Sequence, residues 1–264
     1  MATKFLTATW KNLIMANYVV DPAVLKPFLP NKTELDLFNG NAHVSLVGFM
    51  FMNTRILGFK IPFHVNFEEV NLRFYVRYND NGTWKRGTVF IKEIVPKPAI
   101  SFIANTVYHE KYDTKKMKHI TTENENELSL SYQWKHKNKW NRIEAFVQKP
   151  AQAMLPGSEE EFIAEHYWGY SKYNDTTTFE YNVQHPAWKI FPVNHYLIDC
   201  DFKALYGDSF SDLVNAKPNS VFVAEGSEVS VLKKRNLLFV QLLQHLFCPA
   251  FKAGRLMRQL IFDD

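Results

Sequence analysis

Cysteine is scarce in this 264-residue sequence: Cys200 and Cys248 are the only thiols, with no Cys-x-x-Cys and no closely spaced framework. That excludes a disulfide-stapled secreted domain, and two buried thiols in a reducing compartment are expected. Three glycine motifs are also missing: the Gly-x-Ser-x-Gly of a nucleophile elbow, the phosphate-cradling Gly-x-x-x-x-Gly-Lys-Ser/Thr, and the Gly-x-Gly-x-x-Gly of dinucleotide binding. Lipase-like, nucleotide-hydrolysing and dinucleotide-binding readings fall with them. The nine histidines include no His-Glu-x-x-His or other close ligand pair. A metal would need His64, His185 and His195 to converge, and structural histidines are the simpler reading, so neither metal nor cofactor is expected. No Gly-, Pro- or Ser-rich linker divides the chain and no segment repeats. The most apolar segment, 236–251, is interrupted by Gln241, Gln244 and His245 and is too short and polar to span a bilayer. The N-terminus lacks a signal peptide's apolar stretch. The expectation is a soluble cytoplasmic protein.

Net charge is small as well, +4 from 31 basic and 27 acidic residues. By itself this does not mark a nucleic-acid binder. The densest basic stretch, Lys135-His136-Lys137-Asn138-Lys139, lies between Trp134 and Trp140. Such a composition fits RNA contact, but it also fits a solvated hairpin tip, and the tip is preferred.

Aromatic side chains are plentiful: 22 Phe, 12 Tyr and 6 Trp within a 46% hydrophobic composition. This is ample for a large core and favours strands, where such side chains pack on a pleated surface. Strands are expected at Asn12–Tyr18, Ala42–Met52, Phe67–Tyr78 and Thr88–Val95, with Asn79-Asp80-Asn81-Gly82 as a turn. Further strands are expected at Leu128–Trp134, Arg142–Gln148 and Thr177–Gln184, then at Ser220–Ala224 and Glu228–Leu232 around a turn at Gly226. Asp21-Pro22 opens a short helix that Pro30 ends, a second helix begins near Pro98, and Ser158-x-x-Glu161 caps a third through about Tyr167. Strands outnumber helices without βαβ alternation, so the fold class is α+β, mainly β. Residues 1–235 make one domain. From Asn236 a strongly apolar helical tail is expected to dock on it or on a second subunit, which leaves a homo-oligomer open.

The segment Phe67–Tyr78 carries the clearest pattern. Val70, Leu72, Phe74 and Val76 fall on one face, and Glu69, Asn71, Arg73 and Tyr75 on the other. The polar face is either a solvated side of the sheet or the inside of a barrel mouth, where an acid, an amide and a guanidinium grip a small ligand. Lys97 sits where a strand meets a helix N-terminus. There amide dipoles and burial would lower its pKa and leave an amine able to attack a carbonyl; an exposed lysine between two prolines is the plainer alternative.

Trp10-Lys11-Asn12-Leu13, Tyr18-x-x-Asp21-Pro22, Phe67-x-Glu69-x-Asn71-x-Arg73-x-Tyr75-Val76, Arg86-Gly87 and Glu93-x-Val95-Pro96 resemble the YqjF-like family of uncharacterised bacterial proteins. Glu165-His166-Tyr167, His185-Pro186-x-Trp188 and Ala224-Glu225-Gly226 are similar to its later motifs, so the likeness covers about residues 8–232. That family is grouped with the acetoacetate-decarboxylase superfamily, which implies a closed β-barrel around a buried pocket, with short helices. It also implies Schiff-base chemistry on a small oxo-acid, with Lys97 as nucleophile and Glu69 as the assisting acid; Arg73 and Asn71 of the polar face, with Lys11, are the expected substrate-binding groups. The sequence departs from the enzyme's pattern at Pro98, which replaces a second lysine, and at Lys11, which stands for an arginine. Two readings follow: a lyase-like enzyme with a small-molecule pocket, or a non-catalytic ligand-binding protein on the same fold.

Overall fold

The computed structural model describes residues 3–237. The chain opens with β1 (Lys4–Val20), longer than the expected Asn12–Tyr18, and α1 (Pro22–Leu25), capped by Asp21 Oδ1 accepting from the Ala23 amide at 2.8 Å. Then come β2 (Glu34–Leu35), β3 (Ala42–Ile56), β4 (Phe67–Asp80), β5 (Thr83–Val95) and α2 (Pro98–Ile103). The β4–β5 hairpin turns at Asn81 and Gly82, whose φ values of 53° and 93° are those of the Asn-Gly turn. Next are β6 (Tyr112–Thr114), β7 (Met117–Glu123), β8 (Glu127–His136), β9 (Lys139–Gln148), β10 (Gln152–Ala153) and α3 (Glu159–Ala164). The described chain ends with β11 (Trp168–Lys172), β12 (Thr178–Gln184), β13 (Lys189–Phe191), β14 (Val193–Asp199), α4 (Phe202–Tyr206), β15 (Ser220–Leu232) and β16 (Arg235–Leu237).

Three expectations need correcting. Gly226 makes no hairpin turn: β15 is one strand paired antiparallel along β1, and Gly226, at φ 82°, sits opposite Lys11. A Cβ there would lie 2.1 Å from the Trp10 carbonyl oxygen, so glycine serves close backbone approach within a ladder. The Ser158 cap forms, its Oγ accepting from the Glu161 amide at 3.2 Å, but α3 ends at Ala164 because Trp168 already enters β11. Asn236 and Leu237 are strand, paired with Thr178 and Phe179 of β12, not helix. The rest of the expected tail, 238–264, lies outside the described residues, as does Cys248.

β15, β1, β3, β4, β5, β11 and β12 pair in succession, and β12 returns to β15, giving a ring of strands. Two of its seams, β5–β11 and β12–β15, are ladders of only two residue pairs, so the ring is not a continuous barrel. A second sheet, β14-β9-β8-β7, covers one side. Alternation sorts the side chains between them. Val70, Leu72, Phe74 and Val76 of β4 pack in a core with Leu130, Tyr132, Trp134 and Ile143 of the covering sheet. Gly48 of β3 admits Tyr132: a Cβ there would come within 2.9 Å of the ring, whose hydroxyl donates to the Asn12 carbonyl at 2.9 Å. Inside the ring a second core gathers Leu13, Met15, Phe49, Phe51, Phe67 and Trp188. The basic stretch 135–139 forms the β8–β9 hairpin end, with Lys137 and Asn138 exposed, Trp134 fully buried, and Lys139 paired with Asp199 at 2.9 Å. Among the described residues no helix is long and apolar enough to cross a membrane.

Candidate functional site

The inward face of β4 lines a cavity of about 120 Å³ within the ring, walled by Trp10, Phe49, Phe51, Phe67 and Trp188. Glu69, Asn71 and Arg73, the polar face of the alternating segment, all line it and are 2%, 2% and 8% exposed. Asn71 Nδ2 donates to Glu69 Oε1 at 2.9 Å, and the Tyr112 hydroxyl donates to Glu69 Oε2 at 3.0 Å. Burial outweighs these bonds and the nearby Arg73 charge, and pushes the Glu69 carboxyl up to about 7. Arg73 itself has weak partners, the Tyr75 hydroxyl at 3.4 Å and Met15 Sδ at 3.8 Å. It forms no ion pair with any described carboxylate. A nearly buried guanidinium without an anion is costly, and it is the kind of group that receives one from a ligand.

Other polar groups reach the same cavity from outside the alternating pattern. Glu93 on β5 is in register with Asn71 of β4 and with Tyr112 of β6. It is 3% exposed, its Oε2 has no hydrogen-bond partner, and burial beside Glu110 and Glu69 holds it well above the usual carboxylate range. Glu110, on the loop before β6, accepts from the Tyr181 hydroxyl at 2.7 Å, and burial pushes it up to about 8. Burial also keeps both tyrosine hydroxyls protonated. His166, just past α3, places Nε2 3.1 Å from Asp36 Oδ2, which also accepts from Arg86 Nε at 2.6 Å. Burial lowers His166 to about 4, leaving a neutral ring whose Nδ1 is unpartnered. Burial alone would raise Asp36, but its bonds to His166 and Arg86 prevail and hold it low.

The two candidate lysines stand elsewhere. Lys97 is half-buried at the N-cap of α2 and is not among the cavity-lining residues. β5 stops at Val95, the chain bends at Pro96, and Ile100 and Ile103 of α2, with Ala104 after it, line the cavity. Lys11 is exposed: Trp10 takes the inward position of β1, so its neighbour faces outward. Among the described residues that line the cavity there is no lysine. The three histidines do not converge. His185 stacks on Trp188 at 4.2 Å in the cavity wall, His195 packs on Phe146, and His64 bonds the Pro62 carbonyl.

A family profile described as "Uncharacterized conserved protein" matches residues 7–228. The chain belongs to the DUF2071 family. It is 28% identical to the uncharacterized protein YqjF of Bacillus subtilis (strain 168) over 184 residues, 68% of this chain and 72% of that one. Its fold is similar to acetoacetate decarboxylase from Legionella pneumophila, with a TM-score of 0.60 at 12% identity over 90% of each chain. It is likewise similar to the enduracididine biosynthesis enzyme MppR complexed with pyruvate, with a TM-score of 0.59 at 13% identity over 90% of this chain and 92% of that one. An acetoacetate decarboxylase-like enzyme from Sphingomonas wittichii RW1 matches with a TM-score of 0.61 at 12% identity, covering 89% and 94%. The acetoacetate-decarboxylase-like fold expected from the motifs is therefore the fold found, and identities this low speak for the fold alone.

Proposed function

We propose that this protein is a lyase-like enzyme acting on a small carbonyl compound that bears a carboxylate, by acid–base chemistry without a covalent lysine intermediate. Arg73 holds the carboxylate and Glu69 carries the proton, with Asn71 and Tyr112 orienting the Glu69 carboxyl. The observation that carries this reading is the pairing, in one cavity, of a guanidinium without an ion pair among the described residues and a carboxyl held at about 7. A group poised near neutrality both gives and takes a proton at working pH. In the decarboxylation of a 3-oxo acid such as acetoacetate the C–C bond to the carboxylate breaks, carbon dioxide leaves, the carbonyl beyond takes up the electron pair as an enolate, and protonated Glu69 returns a proton to carbon, whereas a 2-oxo acid can only exchange its α-proton by this chemistry. The pyruvate named for MppR is consistent with a small oxo-acid in this fold. The absence of lysine among the lining residues is what separates the proposal from Schiff-base chemistry, and it favours non-catalytic binding of the same ligands as the second reading.

One experiment decides between the two. Pyruvate, 2-oxobutanoate and acetoacetate are incubated with the protein in deuterium oxide and followed by NMR for deuterium uptake beside the carbonyl and for carbon dioxide loss. Turnover that Glu69→Gln abolishes and that Arg73→Met weakens through KM supports the enzyme. Binding without exchange leaves the second reading, and no binding of any carboxylate overturns both.

A further inference from the structure

The cavity holds more acceptor groups than the protein pairs. Glu93 Oε2 and Asn71 Oδ1 are both buried without a hydrogen-bond partner, and they belong to residues in register on neighbouring strands. Glu110, half-buried, adds a third carboxyl after Glu69 and Glu93. None of the three carboxyls forms an ion pair among the described residues. Lys111, next to Glu110 in sequence, has its ammonium over the Phe28 ring at 5.1 Å and lowers Glu110 from beyond salt-bridge range, though burial prevails. Arg73 acts on Glu69 from beyond salt-bridge range. The other titratable groups facing Glu93 and Glu110 are the hydroxyls of Tyr112 and Tyr181.

Asn71 Oδ1 can only accept, so an oxo-acid alone, whose oxygens are acceptors too, leaves it unpaired beside the carboxyls of Glu93 and Glu110. They match a donor-rich positive group. Resting on the Arg73 clamp proposed above, we infer that the ligand of this cavity is a small zwitterion, its carboxylate on Arg73 and a cationic nitrogen among Glu93, Glu110 and Asn71. Tyr108 and Tyr181, edge to face at 5.2 Å, wall the Glu110 side with aromatic surface suited to a cation. The cavity of about 120 Å³ limits the ligand to a compact molecule, since a cavity of roughly 150 Å³ holds benzene. Charge accounting adds a signature. Burial holds Glu93 and Glu110 protonated, and an arriving cation favours their ionised form, so binding expels protons.

The test compares isosteric probes differing at one end. Linear ω-amino acids, 4-aminobutanoate and its shorter and longer homologues, are titrated calorimetrically against alkanoates of matched length, pentanoate being the partner of 4-aminobutanoate. Titrations at pH 7.5 in phosphate and in Tris, whose ionisation heats differ, count the protons released. The expected result is at least about tenfold tighter binding of the best amino acid than of its alkanoate, with release of about one proton that the alkanoate lacks. Glu93→Gln should erase that preference while leaving alkanoate binding intact, which also shows that the variant is folded. An alkanoate that binds as tightly as its amino acid, or tight amino-acid binding without proton release, overturns the zwitterion and leaves the Arg73 clamp standing. Failure of both series to bind overturns the clamp, and this inference with it.

Discussion

Replacing Glu69 by glutamine removes one buried titrating proton while keeping the side chain's shape. Glutamine still offers an oxygen to Asn71 Nδ2 and a polar group to the Tyr112 hydroxyl. In the folded protein burial holds the Glu69 carboxyl at about 7, against its ordinary 4.5. Below about pH 4.5 both folded and unfolded chains hold the proton, and burial of the carboxyl carries no ionisation penalty. Between 4.5 and about 7 the unfolded chain has lost a proton that the folded chain retains, so stability falls as pH rises. The fall amounts to about 1.4 kcal/mol per pH unit, or about 3 kcal/mol across the window, and is complete above the folded value. Glu69→Gln should therefore equal the wild type near pH 4.5 and be more stable by about 3 kcal/mol at pH 8. Urea denaturation of both proteins from pH 4.5 to 8.5 gives the difference curve, to which the loss of the Glu69 charge that raises Glu93 and Glu110 adds with the same sign. A difference that stays flat with pH, or a variant less stable than wild type at pH 8, would refute the buried, proton-holding Glu69.

Neighbouring positions on β4 should respond in opposite ways. Leu72→Ala, at a fully buried site between the ring and the covering sheet, should cost about 2–5 kcal/mol, whereas Arg73→Met should leave stability level or raised while abolishing carboxylate binding. Urea melts and titration with pentanoate read the two effects, and an Arg73→Met loss above about 3 kcal/mol would mean that the guanidinium has a strong partner. Gly226→Ala should cost about 2–4 kcal/mol, because the new Cβ meets the Trp10 carbonyl at 2.1 Å and the φ of 82° is strained for alanine; an unchanged melting temperature would contradict that contact. Borohydride with pyruvate or acetoacetate should leave Lys97 unmodified by intact mass and peptide mapping, and an adduct on Lys97 that Lys97→Arg removes would restore covalent catalysis.

Much of this was legible because period-two alternation is a physical consequence of the pleat. Once Val70, Leu72, Phe74 and Val76 were assigned to a core, Glu69, Asn71 and Arg73 had to share the opposite face, and the Asn81-Gly82 turn fixed the partner strand. The alternation fails where strands are bulged. On β5 the register shifts opposite Leu72 and Arg73, so both Phe90 and Glu93 line the cavity although their spacing is odd. Counting by twos from Phe90 puts Glu93 outside, so the pattern alone does not bring this residue of the Glu93-x-Val95-Pro96 motif to the cavity. Glu110, Tyr112 and His166 arrive from loops and a two-step strand edge, where no period exists to read. Gly226 misled for a related reason: a positive φ is needed both in tight turns and at close approaches inside a ladder, and sequence cannot tell one from the other.

The two cores explain how so many unpaired groups persist. The outer core, where β4 meets the covering sheet, is apolar and closely packed, with Val70, Leu72, Phe74 and Val76 all fully buried. It can hold the ring together without help from the cavity. The inner face of the same strand is then free to keep a guanidinium without a carboxylate and an amide oxygen without a donor, each a destabilising choice for a fold and a useful one for a binder. Alternation places the two functions one residue apart, so a strand anchored on its outer side positions Glu69, Asn71 and Arg73 as rigidly as the core positions Leu72. Rigidity matters here because an unpaired buried group contributes to recognition only if it cannot relax onto a partner within the protein. Arg73 shows this directly: its nearest acceptors are a tyrosine hydroxyl and a thioether, and the strand holds it there rather than letting it reach Glu69.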